Sequence, residues 1–217
     1  EFRIFMQNND VLSNIELISA KLLHDLAGSV GAIVNYIECL GDDESLSRSM
    51  MPLLSDASND VMNKFKLLKQ AYSISDDNGD FNSTKYNIEN YLTRKKVILE
   101  WHVNVQIFDA ELIEKINKLL TNMVMVLMLF VINGNKVKIM LSSMSDGNLL
   151  IEVIANAQII EMHESIKSIL NGDITSVELT TRNVQVSFLM LLISNYNARI
   201  AYDVQQTVFK FIVDFPL

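Results

Sequence analysis

The sequence predicts an α+β protein in two parts. Three observations predict it: two long helical patterns at the start, a polar break before residue 84, and a downstream texture in which helices are interspersed with paired strands. In the first part Leu12, Ile15, Leu22, Leu26, Val30, Ile33, Ile37 and Leu40 recur at three- and four-residue steps, with Ser19 filling one gap, so 11–40 reads as one amphipathic helix. Gly41 and the acidic Asp42, Asp43 and Glu44 stop it. Met50, Leu54, Ala57, Val61, Phe65, Leu68 and Tyr72 repeat the pattern in a second helix, with Pro52 tolerated in its first turns. Two long helices joined by a short polar loop make an antiparallel hairpin. A lone hairpin gives each apolar stripe one partner, so a second copy completing a four-helix bundle is expected; packing on the rest of the chain is the rival.

Ser73 to Thr84 is polar, contains glycine and lacks periodicity, which divides the chain into 1–75 and 76–217. Beyond it we expect a helix over 88–99, a strand from His102 to Phe108 and a long helix from Glu111 to Ile132. "KVKIMLSS" and "LLIEVIA" flank the turn Asp146-Gly147 as a hairpin, and helices follow near 161–170 and 182–195. "RIAYDV" and "TVFKFIV" close the chain as a strand pair, giving a sheet with helices on one face.

The balance of charges narrows the function. A net charge of −8 and an isoelectric point near 4.9 argue against a nucleic-acid surface, which needs clustered Lys and Arg, and match anionic lipid poorly. The single Cys39 forms no internal disulfide, and no Cys/His cluster has metal-ligand spacing, so a reducing cytoplasm fits best. The apolar run Met123 to Ile132 is about half the ~20 residues a bilayer requires and reads as a buried helix, and no signal peptide is visible.

The chemistry-bearing stretch is "KLLHDLAGSVGAIVNYIECL", 21–40. Residues placed at 100° steps put His24 roughly 160° from the centre of the apolar stripe, facing out. Ala27, Gly28, Gly31 and Asn35 share that face and leave it nearly bare, so a partner's backbone can come close. Neutral imidazole, with a pKa of about 6.5, offers a free ring-nitrogen lone pair that can attack a phosphoryl group. Asp25 is placed to orient or polarise the bound group and Lys21 to balance its charge, while Leu17, two turns earlier, offers an apolar contact to a docking helix. An exposed histidine on an amphipathic helix is more often an ordinary surface residue, so spacing alone does not establish the chemistry. His102 and His163 read as structural or solvated.

"HDLAGSVGAIVNYIECL" resembles the ChpT-type histidine phosphotransferases, whose first helix carries His-Asp, a Ser-Pro pair, Gly-Ala-Ile, and often an Asn and an acidic residue. His24, Asp25, Gly31, Ala32, Ile33, Asn35 and Glu38 match, and Lys21 matches a basic residue often found three places before the histidine. Gly28 and Ser29 stand where the family has Ser-Pro, which removes a bend-inducing proline. The resemblance implies a hairpin dimerisation domain followed by a degenerate histidine-kinase-type ATPase α/β sandwich. "EKINKLLTNMVMVLML" looks like the kinase N-box with Val126 where a magnesium-holding Asn would stand, and "IEVIANAQII" replaces the Asp-x-Gly-x-Gly motif with Asn156 and no glycine. "LTTRNVQVSFL" replaces the glycine-rich lid. ATP binding is therefore not expected.

By that resemblance His24 takes a phosphoryl group from the receiver domain of a CckA-type hybrid kinase and passes it to CtrA-type and CpdR-type response regulators, with Mg2+ supplied by the receiver. The outer face of a homodimeric bundle would dock them. Two alternatives stay open: an inactive dimeric adaptor that binds receivers, and an ATP-dependent histidine kinase.

Overall fold

The computed structural model describes residues 8–40, 44–72, 80–107, 109–145 and 147–217. Helices α1 (Asn8–Glu38) and α2 (Glu44–Tyr72) form the hairpin, with the expected stop at 41–43 outside the described residues. Because α2 starts at Glu44, Pro52 lies inside the helix, about two turns from its start and not in the first turns. The break at Ser73 to Thr84 falls in part on 73–79, outside the described residues, and ends in Asp80, whose carboxylate caps α3 (Phe81–Arg94) by accepting from Ser83 N at 2.7 Å.

The structure then shifts three expected elements. Helix α3 starts earlier than expected and ends at Arg94, where Lys96 adopts φ +59° and Val97 N–H returns to the Leu92 carbonyl, a left-handed cap made without glycine. The released chain runs straight into β1 (Ile98–Val103), so the strand lies before, not after, the expected position; Phe108 is outside the described residues. Asp109 caps α4 (Ala110–Leu127), which stops five residues short of Ile132. The apolar run 123–132 divides between the end of this helix and the start of β2 (Val131–Ser143), two buried elements that an apolar run alone does not distinguish.

Strand β3 (Leu149–Ile160) pairs with β2 across the expected hairpin, in which Gly147 has φ +91° and Asp146 is outside the described residues. Helices α5 (Glu164–Leu170) and α6 (Val184–Asn195) and strands β4 (Arg199–Val204) and β5 (Val208–Phe215) complete the chain. The sheet order is β1-β2-β3-β5-β4, with β1 parallel to β2 through the α4 crossover and the other pairs antiparallel.

Alternation sets the layers. Ile139, Val153 and Phe211 stand in register on the inner face, as do Val137, Ala155 and Phe209, all fully buried. The opposite face carries Lys136 against Glu100 at 3.0 Å, and Lys210 against Glu152. At Gly134, beside a register shift in β2, an added Cβ would stand 2.9 Å from Val131 Cγ1 and 3.2 Å from Val97 Cγ2, so only glycine fits without movement. Helix α4 packs on α2, α3, α6 and β3, which is why every residue from Ile116 to Leu127 is buried.

The hairpin meets this core through the last turns of α2 and the middle of α1. Leu67, Leu68 and Ala71 of α2 are buried in the same cluster as the sheet, with Leu22 and Leu26 of α1 packed against it. A buried polar chain secures the joint. The Tyr72 hydroxyl donates to Gln185 Oε1, Gln185 Nε2 donates to Asn122 Oδ1 at 2.6 Å, and Asn122 Nδ2 donates to the carbonyls of Ala71 and Lys118. Asn122 sits in the N-box-like helix, where it ties α4 to α2; Val126, one turn on, is fully buried.

Candidate functional site

Helix α1 is one uninterrupted element with two apolar faces. Its single expected stripe divides: Leu22, Leu26 and Ile33 are half-buried within the chain, whereas Leu12, Ile15, Val30 and Ile37 are exposed. Leu23 and Val34 join the exposed set, and Leu23, Val30 and Ile37 recur every seven residues. On α2, Met51, Met62 and Phe65 are exposed as well. By length and composition alone, Leu12–Glu38 is also apolar enough to cross a membrane, with 6% of its apolar window buried in the chain.

His24 lies on the other side of the helix from this divided stripe, its side chain 87% exposed as the helical geometry predicts. Its Nδ1 lies 3.6 Å from Asp25 Oδ1, and the other oxygen of Asp25 accepts from Lys21 Nζ at 3.0 Å. Asp25 thus holds a lysine on one side and faces the imidazole on the other, an arrangement set by their i, i+4 and adjacent positions. Its charge reaches groups on other elements too. Burial first, and then the Asp25 carboxylate, push the Tyr72 and Tyr91 hydroxyls well above the usual tyrosine range.

His24, Asp25 and Lys21 form one side of a cleft of about 1370 Å3. The facing side comes from the sheet half: Leu129, Ile132 and Met162 are apolar, and Glu161, His163 and Arg182 are polar. His163 caps α5, its Nδ1 accepting from Ser165 N at 3.2 Å, which gives the expected structural histidine its partner. His102 is exposed on the outer face of β1, opposite Met140.

The remaining sequence-selected residues scatter around this cleft. Ala27 and Asn35 are exposed, Gly31 is half-buried, and a Cβ added at Gly28 or Gly31 would meet nothing within 4 Å. Gly28 opens on a second cavity between α1, α2 and α3. Leu17 is half-buried, not the exposed contact expected from its angle. Asn156 is half-buried within β3, in register with Lys136 and Val208.

Ser29 is the residue whose importance the sequence did not disclose. It is buried on the α2-facing side of α1, where its hydroxyl donates to the Asp60 carboxylate and accepts from Lys64 Nζ at 2.6 Å. Burial raises the Asp60 pKa, but hydrogen bonds from Ser29 and Lys64 outweigh it and hold the carboxyl below its usual value. Arg94 of α3 reaches across to Asp56 at 2.8 Å and Asp60 at 3.6 Å, joining the hairpin to the sheet half. A lone Ser in a helix gives no sequence signal for such a contact; Asp56 and Asp60, one turn apart on α2, were its only trace.

Comparison with known proteins supplies the family. Residues 81–208 match the family model described as histidine phosphotransferase C-terminal domain. No curated protein matches the chain in sequence. Among solved structures, one described as a bacterial phosphotransferase superposes with a TM-score of 0.80 over 98% of this chain and 100% of its own, at 15% identity. A histidine kinase domain from Erythrobacter litoralis gives 0.49 over 88% and 94% at 13% identity, and the histidine kinase AdeS of Acinetobacter baumannii 0.47 over 90% and 94% at 16%. The superposition at 0.80 shows a shared fold, and because the family match spans more than half of its length, the chain belongs to the histidine phosphotransferases.

Proposed function

We propose that the chain relays a phosphoryl group through His24 between the receiver domains of a hybrid histidine kinase and of response regulators. The observation that carries this reading is an imidazole on a rigid helix, 87% exposed at the mouth of a wide cleft, with its Nδ1 facing a carboxylate. With Nδ1 turned toward Asp25, Nε2 points away and carries the lone pair. It attacks the phosphorus of a phospho-aspartate, the P–N bond forms as the P–O bond to the receiver aspartate breaks, and the carboxylate departs with that electron pair. Asp25 balances the charge that the ring acquires, and Lys21 holds Asp25 in place. The return step is the reverse, onto the aspartate of a second receiver. Mg2+ belongs to the receiver's acidic pocket in this scheme, and the chain needs no metal, nucleotide or other cofactor of its own.

The family supports a transferase, and the resemblance of the His24 helix to ChpT-type proteins supports CckA-type donors and CtrA-type and CpdR-type acceptors. In this reading 1–75 is the dimerising and phosphoryl-carrying part and 76–217 the degenerate catalytic-like part. Leu23, Val30, Val34 and Ile37 of α1 with Met51, Met62 and Phe65 of α2 supply the dimer face of a cytoplasmic four-helix bundle. A receiver then docks by Lys21, Ala27, Gly28, Gly31 and Asn35, with Leu17 at the rim. The test is to incubate the protein with a phosphorylated receiver and locate the modification by mass spectrometry. A phosphoryl group on His24, absent from His24→Ala, is expected; modification at another residue, or none in the native protein, contradicts the reading.

A further inference from the structure

Two cavities meet where the hairpin rests on α3. One, of about 520 Å3, opens between Gly28 and Ser29 of α1, Asp60 of α2 and Arg94 of α3. The other, of about 270 Å3, runs from Lys21 and Asp25 to Gln185 over an apolar floor that includes Leu67 and Met125. Lys64, Tyr91 and Lys95 line both, so they form the wall between them. The smaller cavity shares Lys21, Asp25 and Leu129 with the His24 cleft and lies beyond Asp25 from it.

Most cations at this junction already have a carboxylate. Lys21 pairs with Asp25 at 3.0 Å, Lys64 with Asp60 at 3.0 Å and Arg94 with Asp56 at 2.8 Å. Lys95 differs. Among the described residues no carboxylate lies within ion-pair distance of its ammonium, which sits 5.2 Å from the centroid of the Tyr91 ring. The Lys95 side chain is exposed at the cavity rim, yet the protein around the ammonium still desolvates it and, with the like charges of Lys64 and Lys21 outweighing the pull of Asp25, lowers its pKa from the usual lysine value. Asn90, which lines the larger cavity, carries a buried Nδ2 with no hydrogen-bond partner. The unmet capacity here is thus cationic and hydrogen-donating.

We propose that the junction binds a small, multiply charged anion bearing phosphate or carboxylate groups, held by Lys95 and Lys64 against Tyr91. The larger cavity, about 520 Å3, lies within the about 300–1,000 Å3 of small-molecule sites. An anion here would supply the ion-pair partner that Lys95 lacks and accept charge-assisted hydrogen bonds from Lys95 and Lys64 together. The open space at Gly28 lets the cavity reach the α1 backbone. Bound there, the ligand touches α1, α2 and α3 together and ties the hairpin to the sheet half. Its binding does not depend on the phosphoryl chemistry of His24.

The test is a pair of amide-shift titrations of the full chain by NMR at low ionic strength, one with inorganic pyrophosphate and one with citrate. Native protein is run beside Lys95→Gln and beside Lys85→Gln, an exposed lysine on α3 outside both cavities. Saturable shifts at Lys64, Tyr91 and Lys95, weakened at least about tenfold in Lys95→Gln and unchanged in Lys85→Gln, are expected. Response to pyrophosphate alone assigns a phosphate-bearing ligand, and response to citrate alone a carboxylate. Shifts that do not saturate with either anion, or equal affinity in Lys95→Gln and native protein, overturn the proposal.

Discussion

The hairpin and the sheet half are both apolar, yet they dispose of that surface in opposite ways. Around α4 the apolar side chains close on one another within a single chain: Leu119, Leu120, Phe209 and Phe211 are fully buried. Along α1 and α2 apolar side chains such as Leu23, Val30, Met62 and Phe65 remain open to solvent. Burial contributes about 25 cal/mol per Å2, so the first region supplies most of the burial that stabilises the fold, while the second leaves apolar surface uncovered by its own chain. In the proposed relay, the group that two protein partners reach in turn lies on the region with little internal packing.

Variants can break this comparison, and the largest effect is expected in the sheet half. Phe211→Ala empties a fully buried position and should cost about 3–5 kcal/mol in urea unfolding. Asn122→Ala should cost about 2 kcal/mol, because Gln185 and two carbonyls lose a buried partner, and should loosen α2 from α4 as hydrogen exchange at Ala71 and Tyr72 reports. Ser29→Ala is smaller, about 1 kcal/mol, since Asp60 keeps Lys64 and Arg94. The sign with pH follows from the lowered Asp60 pKa: the stabilisation is full above the ordinary carboxylate value of 3.8 and fades as pH falls through the folded value below it. Ser29→Ala should shrink that acid-side loss, measured as the stability difference between pH 6 and pH 3. Leu23→Lys should change unfolding of the single chain least, within about 0.5 kcal/mol, yet shift light scattering toward monomer. A stability loss as large as that of Phe211→Ala would erase the distinction between the regions.

Much of this was legible in the sequence because periodicity reports burial. The hairpin, the β2–β3 turn, α5, α6 and the final strand pair stand where the pattern put them. The misplaced elements have two causes. Apolar runs without alternation, such as 123–132, fit a buried helix and a buried strand equally, and a helix ended by Lys96 in the left-handed region carries none of the glycine that marks such an end. His24 was legible through the angular position that leaves it exposed. The two faces of α1 were not, since one helix projected alone does not say which apolar residues its own chain will cover; the seven-residue spacing of Leu23, Val30 and Ile37 was the signal available. Ser29, Asp60, Arg94 and Lys95 come together only once α1, α2 and α3 are assembled, and the one-turn spacing of Asp56 and Asp60 is too common to encode that.

The most direct test of the central claim is a reconstituted relay: a receiver domain carrying radiolabelled phosphate, this protein, and a second receiver, followed over time. The account predicts that label leaves the first receiver, passes through acid-labile, base-stable label on this chain and accumulates on the second, and that His24→Ala stops it with the fold unchanged by circular dichroism. Transfer at an undiminished rate through His24→Ala, or label acquired from ATP alone, would contradict it.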